Sequence, residues 1–324
     1  MRLSDVERRI LAAAELRADA TIEELSERTN LGVNSIRYAL KKLEGRGMIR
    51  RVPFVDLYPL GYTDFVTFFS LATKHHSQER EQFLQTLIAS PLVTWIGELG
   101  GQYQYGAAIF AKNVAQFVSF LEQISTQFDG IVIKKTVRLT KRFTRYNRTY
   151  LDPSIPKDSF IFGVSDKTAT LDATDDKILG IMTDCPEYSA SHQAKQLGLP
   201  LSTFQHRVRQ LKHRGILLGQ IYAIDIGYLG VSFYNLQVAM SGLSRDQEQN
   251  LHAWADKHPN VVHLIECVGE WDFEIGLEVE VPEGITGIIS ELYNLFGQAI
   301  VRVDTIPIFR NRKYVFFSPT SAVK

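Results

Sequence analysis

Two short runs of polar and basic side chains carry the chemistry that is easiest to read in this sequence. Asn34, Tyr38 and Lys41 lie opposite an apolar stripe of Ile36, Leu40 and Leu43, whose i, i+4, i+7 spacing predicts a helix. Ser35 accompanies them near the helix start, while Arg37 and Lys42 flank the stripe. A second stripe, Phe204, Val208 and Leu211, sets Ser202, His206 and Arg209 outward, with Thr203, Gln205 and Gln210 beside them. A hydrogen-bonding side chain early in a helix, followed a turn later by a base, suits entry into a DNA major groove. Early residues reach base edges and later Lys and Arg neutralise phosphates. A basic third helix in a small head is also compatible with binding protein.

These two runs are copies of one another. Leu43, Arg46 and Gly47 match Leu211, Arg214 and Gly215 at one constant offset, which the match resumes further downstream. The chain is therefore a duplication of a whole two-part unit. A length of 324 residues accommodates two such units, each with its own core. Hydrophobic residues make up 45% and charged residues 22%, the profile of a globular protein. No apolar run approaches the roughly 20 residues of a membrane span, and the charged start MRLSDVERRI is no secretory signal. No membrane partner and a cytoplasmic location are expected. Cys185 and Cys267 lack a paired Cys/His spacing, and His252, His258 and His263 are spread over a helix and the next strand, as His75 and His76 sit at a strand end. Neither a metal centre, a cofactor nor an acid–base pair is expected.

The net charge is zero, but charge is segregated. Asn34 to Arg51 carries six bases against Glu44, and Lys134 to Arg148 carries seven bases and no acid, whereas Glu278, Glu280 and Glu283 gather elsewhere. Such patches are a footprint for a polyanion. The second run could equally line a ligand pocket or answer acids of the other half.

The elements that position these residues follow from periodicity. Residues 4–50 predict three helices and the start of a β-wing, the first capped by Ser4 or Asp5 and the second by Thr21. Gly47 supplies the stop. Each head is followed by a β-α-β-β-α-β rhythm. The first body predicts strands over 63–73, 93–99, 103–111 and 131–139 with helices over 78–89 and 114–127. The second predicts strands over 231–239, 261–267, 272–280 and 300–308 with helices over 245–257 and 284–296. That is a ferredoxin-like α+β unit, a four-stranded antiparallel sheet with both helices on one face. Its other face must be covered. Phe65, Phe68, Phe69, Trp95, Phe233, Tyr234 and Trp271 are candidates to face a partner sheet. Glycine turns at Gly100-Gly101 and Gly269 join the middle strands.

The L-x-x-x-G-x-I close of the head, the Gly-Tyr step after it, the pairs Pro91/Val93 and Pro259/Val261, and the G-x-W-D turn at Gly269, Trp271 and Asp272 resemble the Lrp/AsnC family of feast/famine transcription regulators. The resemblance covers nearly the whole chain, twice. It implies winged helix-turn-helix heads at residues 1–52 and 171–220 and ferredoxin-like, RAM-type ligand-sensing bodies at 60–150 and 228–317, with a linker at 152–170. It implies double-stranded DNA and a small-molecule effector, an amino acid or related metabolite, as partners, and no enzyme activity. The effector site carries over onto Gly269 and Asp272, and onto Gly101 and Gln104 in the first half, where the carboxylate that could hold an ammonium group is missing. Gln193, standing where the first head has Leu25, is a second departure. One chain carrying two units is expected to form an internal pseudo-dimer, to assemble as a homo-oligomer, and to read two unlike half-sites about one helical turn, or a multiple of it, apart. Siroheme decarboxylases share the fused architecture, so a decarboxylase-like enzyme is the alternative; a scaffold whose heads no longer bind DNA is a third reading.

Overall fold

The computed structural model describes residues 3–72 and 77–318. His75 and His76 lie outside the described residues. The first head is α1 (Asp5–Ala14), α2 (Ile22–Thr29), α3 (Val33–Gly45) and strand β1 (Ile49–Val55). The first body follows as β2 (Thr63–Leu71), α4 (Ser77–Ala89), β3 (Val93–Leu99), β4 (Tyr105–Ala111), α5 (Val114–Gln127) and β5 (Val132–Tyr146). Strand β6 (Ser159–Gly163) leads to the second head, α6 (Ala173–Asp184), α7 (Ala190–Gln196), α8 (Leu201–His213) and β7 (Leu217–Ile224). The second body is β8 (Ser232–Met240), α9 (Arg245–Lys257), β9 (Val261–Val268), β10 (Phe273–Val279), α10 (Gly284–Phe296) and β11 (Ile300–Tyr314).

Local chemistry accounts for the helix starts. Ser4 and Thr21 each form a full capping box with a glutamate three residues on, Glu7 and Glu24, so Ser4 rather than Asp5 is the first cap. Gly47 and Gly215 both take a φ of 69°, the left-handed turn that lets the chain leave α3 and α8 for a strand.

The chain divides into two compact units, and neither is a half of the sequence. One unit joins residues 1–51, 141–162 and 220–308; the other joins 52–140, 163–219 and 309–324. The first head thus belongs with the second body, and the first body with the second head. The crossing is made by the last strand of each body. These were expected to end near 139 and 308 but run on to Tyr146 and Tyr314.

In the unit holding the first head, β11, β8, β10 and β9 lie in that order, with the end of β5 and then β6 beyond β9. Leu236, Val238, Ile275 and Leu277 pack under α9 and α10 with Leu251, Ile288 and Leu292. The head core of Ile10, Leu11, Ile36, Leu40 and Leu43 also takes in Leu151, Ile155, Tyr222 and Ile224. Residues 152–170, expected to run as a linker, therefore begin as packed structure and include β6. Backbone bonds from Tyr222 to Glu15, Asp225 to Met48 and Ala18 to Gln220 seal the segment before the second body onto the first head.

In the other unit, β2 is flanked by β5 and β4, and β3 lies beyond β4, all antiparallel. Phe65, Phe69, Phe83, Leu87, Ile109 and Phe117 form the core beneath α4 and α5. Phe68 is also fully buried, but its strand parity turns it to the opposite sheet face. Trp95 lies there too, its ring across Gly97 and Gly106, where a Cβ would clash at 2.5 and 2.9 Å. Gln193, the departure in the second head, is buried and donates to the Cys185 carbonyl at 3.0 Å, so its polarity is satisfied.

Candidate nucleic-acid interface and sensing turns

On α3 the buried residues are Ile36, Ala39, Leu40 and Leu43. Asn34, Ser35, Arg37, Tyr38 and Lys41 are exposed, Tyr38 at 71%. So open an aromatic takes no part in the head core. Lys42 differs from its neighbours. Its ammonium lies 2.7 Å from Glu7, a carboxylate only 4% exposed, with Arg46 at 3.6 Å. Burial opposes ionisation of Glu7, yet Lys42 and the Ser4 cap hold its carboxyl below the usual range. Lys42 thus ties α3 to α1 inside the head.

On α8, Phe204 and Leu211 are buried while Ser202, Thr203, Gln205, His206 and Arg209 are exposed. Arg207 and Arg214 turn inward to the head, reaching Asp175 at 3.3 and 2.9 Å, and Arg207 also meets Asp172. The two exposed faces hold different side chains on one scaffold.

From Arg138 onward the basic run Lys134 to Arg148 is answered by acids of the protein itself, while Lys134 and Lys135 stay exposed. Arg138 is buried against Thr140, which in turn donates to Asp64 at 2.5 Å. Lys141 reaches Glu266 at 2.8 Å and Glu248 at 3.2 Å. Arg145 and Arg148 both meet Glu15, and Arg148 also meets Glu278, in a cluster where every member is at most 6% exposed. As a whole, the run is therefore not a polyanion footprint. Its acids were invisible as partners because Glu15 and Glu278 stand 133 and 130 residues away from Arg148.

At the two hairpin turns, Asp272 Oδ2 accepts the Met240 N–H at 2.7 Å, and its backbone N–H bonds the Val238 carbonyl. Gln104 does the same in the first body: its Oε1 accepts the Leu71 N–H at 2.6 Å and its N–H bonds the Phe69 carbonyl. Each side chain staples the β-hairpin to the end of the first strand, and glutamine keeps the acceptor while losing the charge. Gly101 takes a φ of 81°, whereas Gly269 does not enter the left-handed region.

The second body also collects groups the sequence leaves apart. His252 Nε2 lies 2.9 Å from Glu266 Oε1. Burial would raise the Glu266 carboxyl, but His252 and Lys141 hold it down at about 2. His263 is buried between Phe143 and Phe233, its ring over Gly276. The four-residue spacing of Glu248 and His252 is legible in the sequence; their meeting with a strand residue is not. Among the described residues no helix is long and apolar enough to cross a membrane.

Residues 3–50 match the winged helix-turn-helix DNA-binding family. The chain is similar to the glutamate uptake regulatory protein of Zymomonas mobilis, 30% identical over 118 residues, which is 36% of this chain and 71% of that protein. An uncharacterized HTH-type transcriptional regulator of Haemophilus influenzae is 26% identical over 125 residues, 38% of this chain and 74% of its own. In fold, the siroheme decarboxylase NirDL covers 98% of this chain and 94% of its own at a TM-score of 0.61 and 14% identity.

Proposed function

Because this chain belongs to the Lrp/AsnC family of transcriptional regulators, in a tandem two-unit form, we propose that its two unlike recognition helices read two unlike half-sites of one operator under the control of a small-molecule effector. The protein is a DNA-binding regulator whose residues 3–50 match the winged helix-turn-helix DNA-binding family. The observation that carries the finer reading is the pair of exposed faces. Asn34, Ser35, Arg37, Tyr38 and Lys41 stand out on α3 over buried Ile36, Leu40 and Leu43, and Ser202, Thr203, Gln205, His206 and Arg209 on α8 over buried Phe204 and Leu211 and a half-buried Val208. Asn and Gln suit adenine edges, Arg suits guanine, and Lys suits phosphate.

The effector is an amino acid or related metabolite held near Gly269 and Asp272, with Gly101 and Gln104 as the uncharged counterpart. The crossed units give such binding a route to DNA. A ligand at the second body's turn acts on a body that shares its unit with the first head, and the Glu15–Arg148–Glu278 cluster ties the two.

Selection of genomic fragments on the purified protein, followed by footprinting, tests this reading. Protection of two non-identical sequence blocks supports it; loss of sequence preference in competition with bulk DNA would sink it. The decarboxylase alternative is read in a separate arm. Anaerobic incubation with siroheme is expected to leave the mass of the macrocycle unchanged, and loss of its acetate carboxyls as carbon dioxide would favour the enzyme.

A further inference from the structure

The second body holds a constellation that DNA reading does not use. Glu248 and His252 are four residues apart on α9 and so share one face of it. Glu266 comes from β9, on the helix-covered side of the sheet two residues beyond the core Leu264. One donor atom from each of the three residues lies within 4.8 Å of the other two. Ligands around a single ion, bonded at about 2.0–2.2 Å, stand roughly 3–4.4 Å apart, so small rotamer changes close the gap. We propose that Glu248, His252 and Glu266 form a binding site for one divalent transition-metal ion, which displaces the Lys141 ammonium.

Charge and access fit an exchange of cations. Two carboxylates face one point, and Lys141 Nζ already stands there, 2.8 Å from Glu266 and 3.2 Å from Glu248, with the half-exposed Arg142 guanidinium 3.7 Å from Glu266 Oε1. The Lys141 side chain is 55% exposed, so its ammonium swings into water without leaving a buried charge behind. Glu248 is 36% and His252 18% exposed, which leaves the cluster open on one side, while Glu266 at 5% anchors it. One imidazole with two carboxylates suits Zn²⁺, Mn²⁺ or Co²⁺, and three protein ligands leave a position for water.

The duplicated body is an internal control. The positions matching Glu248, His252 and Glu266 there are Arg80, Leu84 and Glu98. Leu84 is fully buried and Glu98 is held by Arg312 at 2.9 Å, so that copy keeps the structural acid and none of the ligand set.

Titration calorimetry of the chelator-treated full chain with zinc chloride, repeated with manganese chloride, tests the site. One ion per chain is expected. His252→Ala, Glu266→Gln and the half-exposed Glu248→Gln should each weaken binding by about tenfold or more. Lys141→Ala should strengthen it, because the competing ammonium is gone, and Glu98→Gln should change nothing. Circular dichroism of each variant separates lost ligands from lost fold. With cobalt, a visible d–d band that His252→Ala abolishes is expected. No binding by either ion, binding indifferent to His252→Ala and Glu248→Gln, or weakening by Lys141→Ala would overturn the proposal. None of these readouts involves DNA, so failure here leaves the regulator reading untouched.

Discussion

Arg148 grips Glu278 with two parallel hydrogen bonds, Nε to Oε2 at 2.7 Å and Nη2 to Oε1 at 2.6 Å, both residues at most 3% exposed. The same guanidinium meets Glu15 at the end of α1, and Tyr150 donates to Glu278. A bidentate charged pair out of water holds geometry more firmly than apolar contact does. In the other compact unit the matching positions are aromatic: Phe316 for Arg148 and Phe110 for Glu278, with Phe316 against Phe54 at 4.2 Å. One fold is thus pinned by charge in one unit and by rings in the other.

Removing one partner of the buried pair strands the other. Arg148→Ala should cost about 3–5 kcal/mol of stability, because Glu278 is left buried without its guanidinium while Glu15 keeps only Arg145. Glu278 is held below the usual carboxyl range by Arg148 and Tyr150 against its burial, so its contribution is present above about pH 4 and lost as pH falls further. Urea unfolding at pH 7 and pH 3 reads both effects; an Arg148→Ala chain as stable as the parent at pH 7 would contradict them.

Asp56 behaves with the opposite sign. Burial pushes its carboxyl up to about 6, and the bond from the Tyr58 N–H and the charge of Lys167 do not reverse this. The folded chain binds that proton more tightly than the unfolded one, so stability falls as pH rises from about 4 to about 6. Asp56→Asn keeps the acceptor for Tyr58 and should raise stability at pH 7 by about 3 kcal/mol, with little difference at pH 4. Melting curves at the two pH values decide it.

Lys41 and Lys42 are neighbours with different duties. Lys41→Ala should weaken operator binding at all sequences and lower the slope of log affinity against log salt by about one. Lys42→Ala should leave that slope alone and instead loosen the head, since Glu7 loses its nearest cation. Fluorescence anisotropy across a salt series, with melting curves, separates the two; equal salt slopes for the variants would remove Lys41 from the interface.

Asp272 carries both a structural and a proposed sensing duty, and the first body shows how to split them. Asp272→Gln imports the Gln104 solution, so the Met240 N–H keeps an acceptor and the melting temperature should hold. Effector binding should fall by about tenfold or more, a charged hydrogen bond being worth about 1.5–3 kcal/mol. Calorimetry with a panel of amino acids checks this; an unchanged affinity would move the effector away from this turn.

Much of the molecule was legible residue by residue. Periodicity gave the α+β repeats because a side chain's spacing sets which face of its own helix or strand it joins. Ser4, Thr21, Gly47 and Gly215 mark their boundaries through bonds and torsions closed within a few residues. The exposure of Tyr38, Lys41, His206 and Arg209 followed from the stripes beneath them. What neighbouring residues could not encode is partnership over distance. The extra residues of β5 and β11 carry the chain from one compact unit into the other, and nothing local says which head a body will join. Arg148 became a buried clamp and Lys141 a surface cation because Glu15, Glu278, Glu248 and Glu266 were brought to them by packing of elements more than 100 residues apart. Spacing along the chain set the type of most segments and the side they bury, though not the packed start of residues 152–170 or β6; packing decided who meets whom, since burial fixes the cost of an unpaired charge and only the assembled core supplies its partner.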